Sequence, residues 1–187
     1  MSLRSSILRL GASWTVAVAL LVTVGCEEPR DAATVSGDIL ALQADFIVFG
    51  GEQFMSREGQ REAHIVYDTA FQWIDSTAVA LRRLTLKVYN EDGTERATVT
   101  ADRGTLDQAT DRMVAHGNVV LVIPGDEGRT IMSEELHYDP DGGMIWSDSA
   151  FVMRTRSATG AVRELRGSRF SSDLEFRNFQ AWGPGSS

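Results

Sequence analysis

Residues able to do chemistry are present in this chain, but their spacing argues against catalysis. There is no Gly-x-Ser-x-Gly elbow and no phosphate loop ending in Gly-Lys, so acyl transfer and nucleotide hydrolysis lack their usual scaffolds. His64, His116 and His137 lie far apart and show none of the short spacings by which two imidazoles share a metal ion, so no metal site is expected. Asp139-Pro140-Asp141-Gly142 has the look of a calcium loop, yet Ala150 stands where the bidentate Glu would be needed, and a plain turn is the simpler reading. Acids such as Asp126-Glu127 and Glu134-Glu135 read as solvated surface, leaving paired carboxylates for hydrolysis only a distant alternative. Neither a catalytic residue nor a cofactor is expected.

The single cysteine, Cys26, has a different context. Arg4 and Arg9 precede an apolar run from Trp14 to Val24, and the first acid is Glu27, the order of an export signal. The run falls short of the roughly 20 apolar residues that a spanning helix requires. Leu21-Val22-Thr23-Val24-Gly25-Cys26 resembles a lipobox, although Thr23 stands where an aliphatic side chain is usual. The expectation is a signal peptide over 1–25, lipid attachment at Cys26 and a polar tether over 26–38, with an uncleaved helix as the alternative. A lone cysteine also leaves no intramolecular disulfide to hold the fold.

Without Arg4 and Arg9, about 16 basic residues face the 26 acidic ones. Nucleic acid is thereby disfavoured, since its binding depends on clustered Lys and Arg, and here only Arg82-Arg83 adjoin, with Arg154, Arg156, Arg163 and Arg166 scattered.

The elements that must carry any site read as strands. Leu84, Leu86 and Val88 alternate with Thr85, Lys87 and Tyr89, and Asn90-Glu91-Asp92-Gly93 supplies a hairpin turn to a return strand at Thr98–Ala101. Met113 to Ile123 forms another run, with Ala115, Val119, Leu121 and Ile123 inward and His116 and Asn118 outward. Val120 and Val122 break that alternation, which implies that part of the outer face is covered. Asp139–Gly143 is a turn between Leu136-His137-Tyr138 and Met144-Ile145-Trp146. Asp68–Leu81 fits a helix capped by Asp68 as well as strands, and the content of Thr, Phe, Trp, Ile and Val favours strands.

The chain also repeats. At a shift of about 32 residues, Ala101-Asp102-Arg103-Gly104 falls over Ser133-Glu134-Glu135-Leu136, and Gly117-Asn118-Val119-Val120 over Ser149-Ala150-Phe151-Val152. Gly167-Ser168-Arg169-Phe170 is a later copy and Tyr67-Asp68-Thr69-Ala70 an earlier one. Hairpin units of this kind bury their apolar faces only by stacking, and the stack ends in open strand edges. Gly117 and Gly167, inside strand-like runs, mark a bulge or a close backbone approach.

Ala101-Asp102-Arg103-Gly104, His116-Gly117-Asn118-Val119, Ser133-Glu134-Glu135-Leu136-His137-Tyr138-Asp139, Ile145-Trp146-Ser147-Asp148 and Gly167-Ser168-Arg169-Phe170-Ser171-Ser172-Asp173, in that order, resemble the LptC family, related to LptA and to the periplasmic domain of LptD. The resemblance covers about Gly59 to Trp182. It implies an all-β fold over 39–183, a twisted antiparallel jellyroll of two sheets, with 184–187 as a tail. It further implies a periplasmic, non-catalytic carrier that takes lipopolysaccharide from an inner-membrane ABC transporter with LptF/LptG-like subunits and passes it to an LptA-like protein. Many members keep a transmembrane helix where this chain has Cys26, so the expected location is lipid-anchored, at the periplasmic face of the inner membrane.

The ligand-binding cleft would then be lined by Val99, Ala101, Val119, Leu121, Ile123, Leu136, Phe151, Met153, Phe170 and Phe176, with Gly167 at a partner-binding edge. Those side chains would equally fill an ordinary sandwich core, and only the resemblance favours a cleft. Apolar burial of acyl chains needs little positive charge, so the headgroup is expected to stay in solvent. The rival reading is an envelope lipoprotein that works as an interaction module through its strand edges alone.

Overall fold

The computed structural model describes residues 43–57, 59–125 and 127–183. The signal peptide, Cys26, the tether, Asp126 and the tail 184–187 lie outside the described residues. Eleven strands follow in order: β1 (Phe46–Arg57), β2 (Gln60–Gln72), β3 (Ala78–Tyr89), β4 (Glu95–Asp107), β5 (Arg112–Ile123), β6 (Gly128–Asp139), β7 (Met144–Ser147), β8 (Phe151–Arg156), β9 (Val162–Gly167), β10 (Arg169–Asp173) and β11 (Gln180–Trp182). The protein is all-β, and its first six strands are each 12 or 13 residues long, about twice the common strand length.

All pairings are antiparallel, in the order β1-β2-β3-β4-β5-β6, after which the sheet forks. The first half of β6, Gly128–Ser133, pairs with β8 and then β9. Its second half, His137–Asp139, pairs with β7, which leads to β10 and β11. The fork shows that β6 belongs to two layers, and the continuous sheet folds over on itself into a jellyroll-like sandwich.

The fold line is visible in the burial pattern. Side chains alternate along a strand, so a strand that keeps facing one core while changing layers must switch the parity of its inward residues. In β4, Ala97, Val99 and Ala101 are buried, then Gly104 and Leu106; in β3, Val79 and Leu81, then Leu84, Leu86 and Val88; in β6, Ile131, then Leu136 and Tyr138. The switch occupies the same row on neighbouring strands. Arg83, Gly117 and Asn118 take positive φ there, and β5 gains a bulge between His116 and Val119. Asp68 pairs with Arg83 across the row, and Asn118 Nδ2 donates to Asp102 Oδ2 at 2.7 Å.

This row is what the sequence repeat marks. Asp68, Asp102, Glu134 and Ser168 are the second residues of the four copies, and each sits at the fold line, Ser168 in the break between β9 and β10. Two residues on, Ala70, Gly104, Leu136 and Phe170 enter the second layer's buried face. Leu84, Leu86 and Val88 are buried as their alternation implies, Gly93 takes the expected positive φ, and Asp139–Gly143 is the turn into β7.

One expectation is borne out and one needs correction. Asp68–Leu81 is strand, as favoured, in two runs separated by a turn in which Ser76 N bonds Trp73 O at 3.2 Å and Ile74 is 73% exposed. The outer face over Val122 is not covered: Val122 is 41% exposed, and only Val120 is half-buried.

At Gly117, φ is +77°, and a Cβ would stand 3.1 Å from Asp102 Oδ2 and 3.3 Å from Asp102 Cβ. Gly117→Val should therefore lower stability by about 1–3 kcal/mol, through a β-branched residue at positive φ and a disturbed Asp102–Asn118 bond. Urea unfolding of the purified protein checks this, and an unchanged midpoint would mean the bulge is not a constraint.

Candidate functional site

The two layers enclose a narrow apolar cleft. Leu86, Val88, Ala97, Val99 and Leu121 line it from the first layer, Met113, Ala115, Leu136, Tyr138 and Ile145 from the second, and Leu174 and Phe176 close it from the link between β10 and β11. The cavity measures about 20 Å³, room for a single water at most. Arg96 is the one charged residue in its lining.

Of the ten residues expected to line a cleft, Val99, Leu121, Leu136 and Phe176 do so. Ala101, Val119, Phe151 and Phe170 are buried in the same core away from that cavity, and Ile123 and Met153 pack partly buried against it. Phe151 and Phe170 form an aromatic knot with Phe179, with ring centroids 5.1 to 6.1 Å apart. Leu86, Val88 and Ala115 were legible as inward but not as lining. Leu174 belongs to no alternating run, and nothing in its local sequence marks it.

The closing segment is specifically built. Asp173 Oδ1 accepts from Arg177 N at 2.7 Å and Asn178 N at 3.3 Å, and Oδ2 accepts from Asn178 Nδ2 at 2.7 Å. Burial acts to raise the Asp173 pKa, but these donors outweigh it and hold the carboxyl below its ordinary value. The turn they shape carries Phe176, buried in the cleft at a φ of +56°, a conformation that an aromatic residue rarely adopts. Arg129 Nη1 donates to the Phe176 carbonyl at 3.1 Å, and Arg96 Nη1 reaches Glu175 at 3.4 Å.

Gly167 ends β9, an edge strand in this topology. A Cβ there would overlap the Phe151 ring and approach the Trp182 carbonyl oxygen to 2.7 Å. This is the close backbone approach expected of one of the two strand glycines, and Gly117 is the bulge. A side chain at 167 would thus act first on the packing of β8 and β11, before any effect on a partner strand.

The histidines are less separate than their spacing suggested. Strand register sets His116 opposite Glu135, two residues before His137 on β6. His116 Nδ1 lies 3.8 Å and His137 Nε2 3.0 Å from that carboxylate, and His137 stacks on Trp146. Glu135, His137 and Asp148 each bring one ligand atom within 4.8 Å of the others. They occupy the outer face, across the sheet from the buried Leu136, and have no access to the cleft. His64 is elsewhere, bonded to Glu52 at 2.9 Å.

These features define a class: a folded-over sheet of repeated hairpins whose end strands pair on one side only among the described residues, with a mostly apolar interior. The family model for lipopolysaccharide-assembly, LptC-related proteins matches residues 44–168, and the chain belongs to this family. No curated protein matches it. Membership gives the chain a role in lipopolysaccharide transport, in contact with lipopolysaccharide and the Lpt machinery of the periplasmic envelope; the family is generally non-catalytic.

Asp173 supplies a pH test. Its lowered pKa means the turn is stabilised above the ordinary aspartate value of 3.8 and loses that support as pH falls through the lower folded value. Amide exchange at Arg177 and Asn178, corrected for intrinsic pH dependence, should speed up below that range in the wild type and be fast throughout in Asp173→Ala. Identical protection in both proteins would remove Asp173 from this role.

Proposed function

We propose that this protein is the lipopolysaccharide-binding component of an export bridge, receiving lipid from an inner-membrane ABC transporter with LptF/LptG-like subunits and passing it to an LptA-like protein. The single observation that carries the reading is the cleft: its lining is apolar apart from Arg96 and comes from facing layers of one sheet. Acyl chains inserted between the layers would leave water at about 25 cal/mol per Å² of apolar surface, without any need for reactive groups.

The sheet edges support transfer. The outer side of β1 and the strands β9 and β11 pair with no further strand of the described residues, and they stand at opposite ends of the strand order. β1 also exposes Phe46 and Phe49, more than half accessible, beside Val48 and Phe54. Long apolar edges are an aggregation hazard unless a partner strand covers them, and strand addition at both ends would extend the interior from one protein to the next. In this proposal Cys26 is lipidated after removal of 1–25, and the chain over 26–38 tethers the domain to the periplasmic face of the inner membrane.

Site-specific photocrosslinking in cells exporting lipopolysaccharide tests the reading. Probes at Leu121 in the cleft and Phe151 in the aromatic knot should capture lipopolysaccharide, whereas a probe at the exposed apolar Ile74 should not. Capture at none of the three, from a folded protein, would leave a module that works through its edges alone.

A further inference from the structure

A carrier with room for one water must open, and the element that can leave is identifiable. Every cleft-lining residue lies on a paired strand except Leu174 and Phe176. The turn from Leu174 to Asn178 can therefore move without breaking a ladder bond, and Phe176 would shed its positive φ in doing so. The cost is the burial of the Phe176 ring, which an incoming acyl chain replaces in kind, together with the Arg96 and Arg129 contacts and the bonds from Arg177 and Asn178 to Asp173.

The contacts of this link have the chemistry of a ligand. Phe176 places an apolar group in the cleft, while the Glu175 carboxylate and the Phe176 carbonyl present oxygens to the guanidinium groups of Arg96 and Arg129. Arg96 is also oriented by Asn90, whose Oδ1 accepts from its Nε at 2.9 Å. An apolar tail joined to oxygens held by two arginines is the pattern of an anionic amphiphile, and guanidinium binds phosphate at least as well as carboxylate.

Building on the carrier reading, we propose that the turn at Leu174–Asn178 is an internal stand-in for the ligand. Acyl chains displace Phe176, and Arg96 and Arg129, released from Glu175 and the Phe176 carbonyl, take the phosphates of the headgroup at the cleft mouth. The headgroup is then recognised by the protein rather than left in solvent, within an otherwise acidic chain.

The test uses the full-length protein in neutral detergent micelles and two probes, a bis-phosphorylated, hexa-acylated glucosamine disaccharide and the same lipid without phosphates. Wild-type protein should prefer the phosphorylated lipid by roughly tenfold, about 1.4 kcal/mol, and the Arg96→Gln, Arg129→Gln double variant should bind both alike. Glu175→Gln, at an exposed position and checked by an unchanged circular dichroism spectrum, should tighten binding of the phosphorylated lipid several-fold. Amide exchange at Phe176–Asn178 should rise when lipid binds. Equal binding of both lipids by the wild type, or added protection of the turn on binding, would overturn the inference while leaving the carrier role standing. Failure of the wild type to bind either lipid would refute the carrier role itself.

Discussion

The structure depends on one constraint of strand geometry. A side chain on a strand faces the opposite way from its neighbour, so a strand that serves two layers around one core must reverse its parity where it crosses between them. Here that reversal falls in a single row, where Ala101 gives way to Gly104 in β4, Leu81 to Leu84 in β3 and Ile131 to Leu136 in β6. The polar residues of the row have their own bonds, Asp68 to Arg83 and Asp102 to Asn118, so the sheet bends there without leaving these groups unpaired. Among the described residues no helix covers a face, and the core forms where the sheet closes over itself along this line.

The same geometry makes the interior a candidate conduit. Both layers are built mainly from the same long strands, so the apolar residues of the two meet face to face between them. Close packing drives these faces together, and the cavity that remains is small. What keeps it accessible in principle is that one wall is closed by a turn and not by a strand. That turn carries the strain at Phe176 and depends on polar contacts with Asp173, replaceable by water, and with Arg96 and Arg129, replaceable by water or by a ligand's oxygens.

The edges and the interior are also coupled. The edge glycine at 167 sits against Phe151, and Phe151 packs on Phe170 and Phe179, which follows the Phe176 turn. A strand added beside β9 or β11 would therefore lie next to the aromatic knot rather than at a remote surface. The acidic, partly exposed outer face, with Glu135 between His116 and His137, is separated from these events by the thickness of the sheet.

How much was legible in the sequence follows from the range of each signal. Alternation in Leu84–Val88, the turns at Asn90–Gly93 and Asp139–Gly143, and the recurrence of Asp68, Asp102, Glu134 and Ser168 are local properties, so the all-β class and the repeated hairpins could be read directly. The motifs around the repeat carried the family resemblance for the same reason, since they mark the fold line that every hairpin shares. Non-local facts were hidden. That His116 and His137 flank one carboxylate depends on the register between β5 and β6, and that Ile74 lies in a turn depends on where β2 and β3 stop pairing. Nor could alternation separate cleft from core, because Val99 and Val119 are equally inward and differ only in which residues of the facing layer they meet. Sequence by itself determined which side chains point inward. Tertiary structure decided which of them enclose space, because that depends on the distance between layers and on the Leu174–Asn178 turn that closes them.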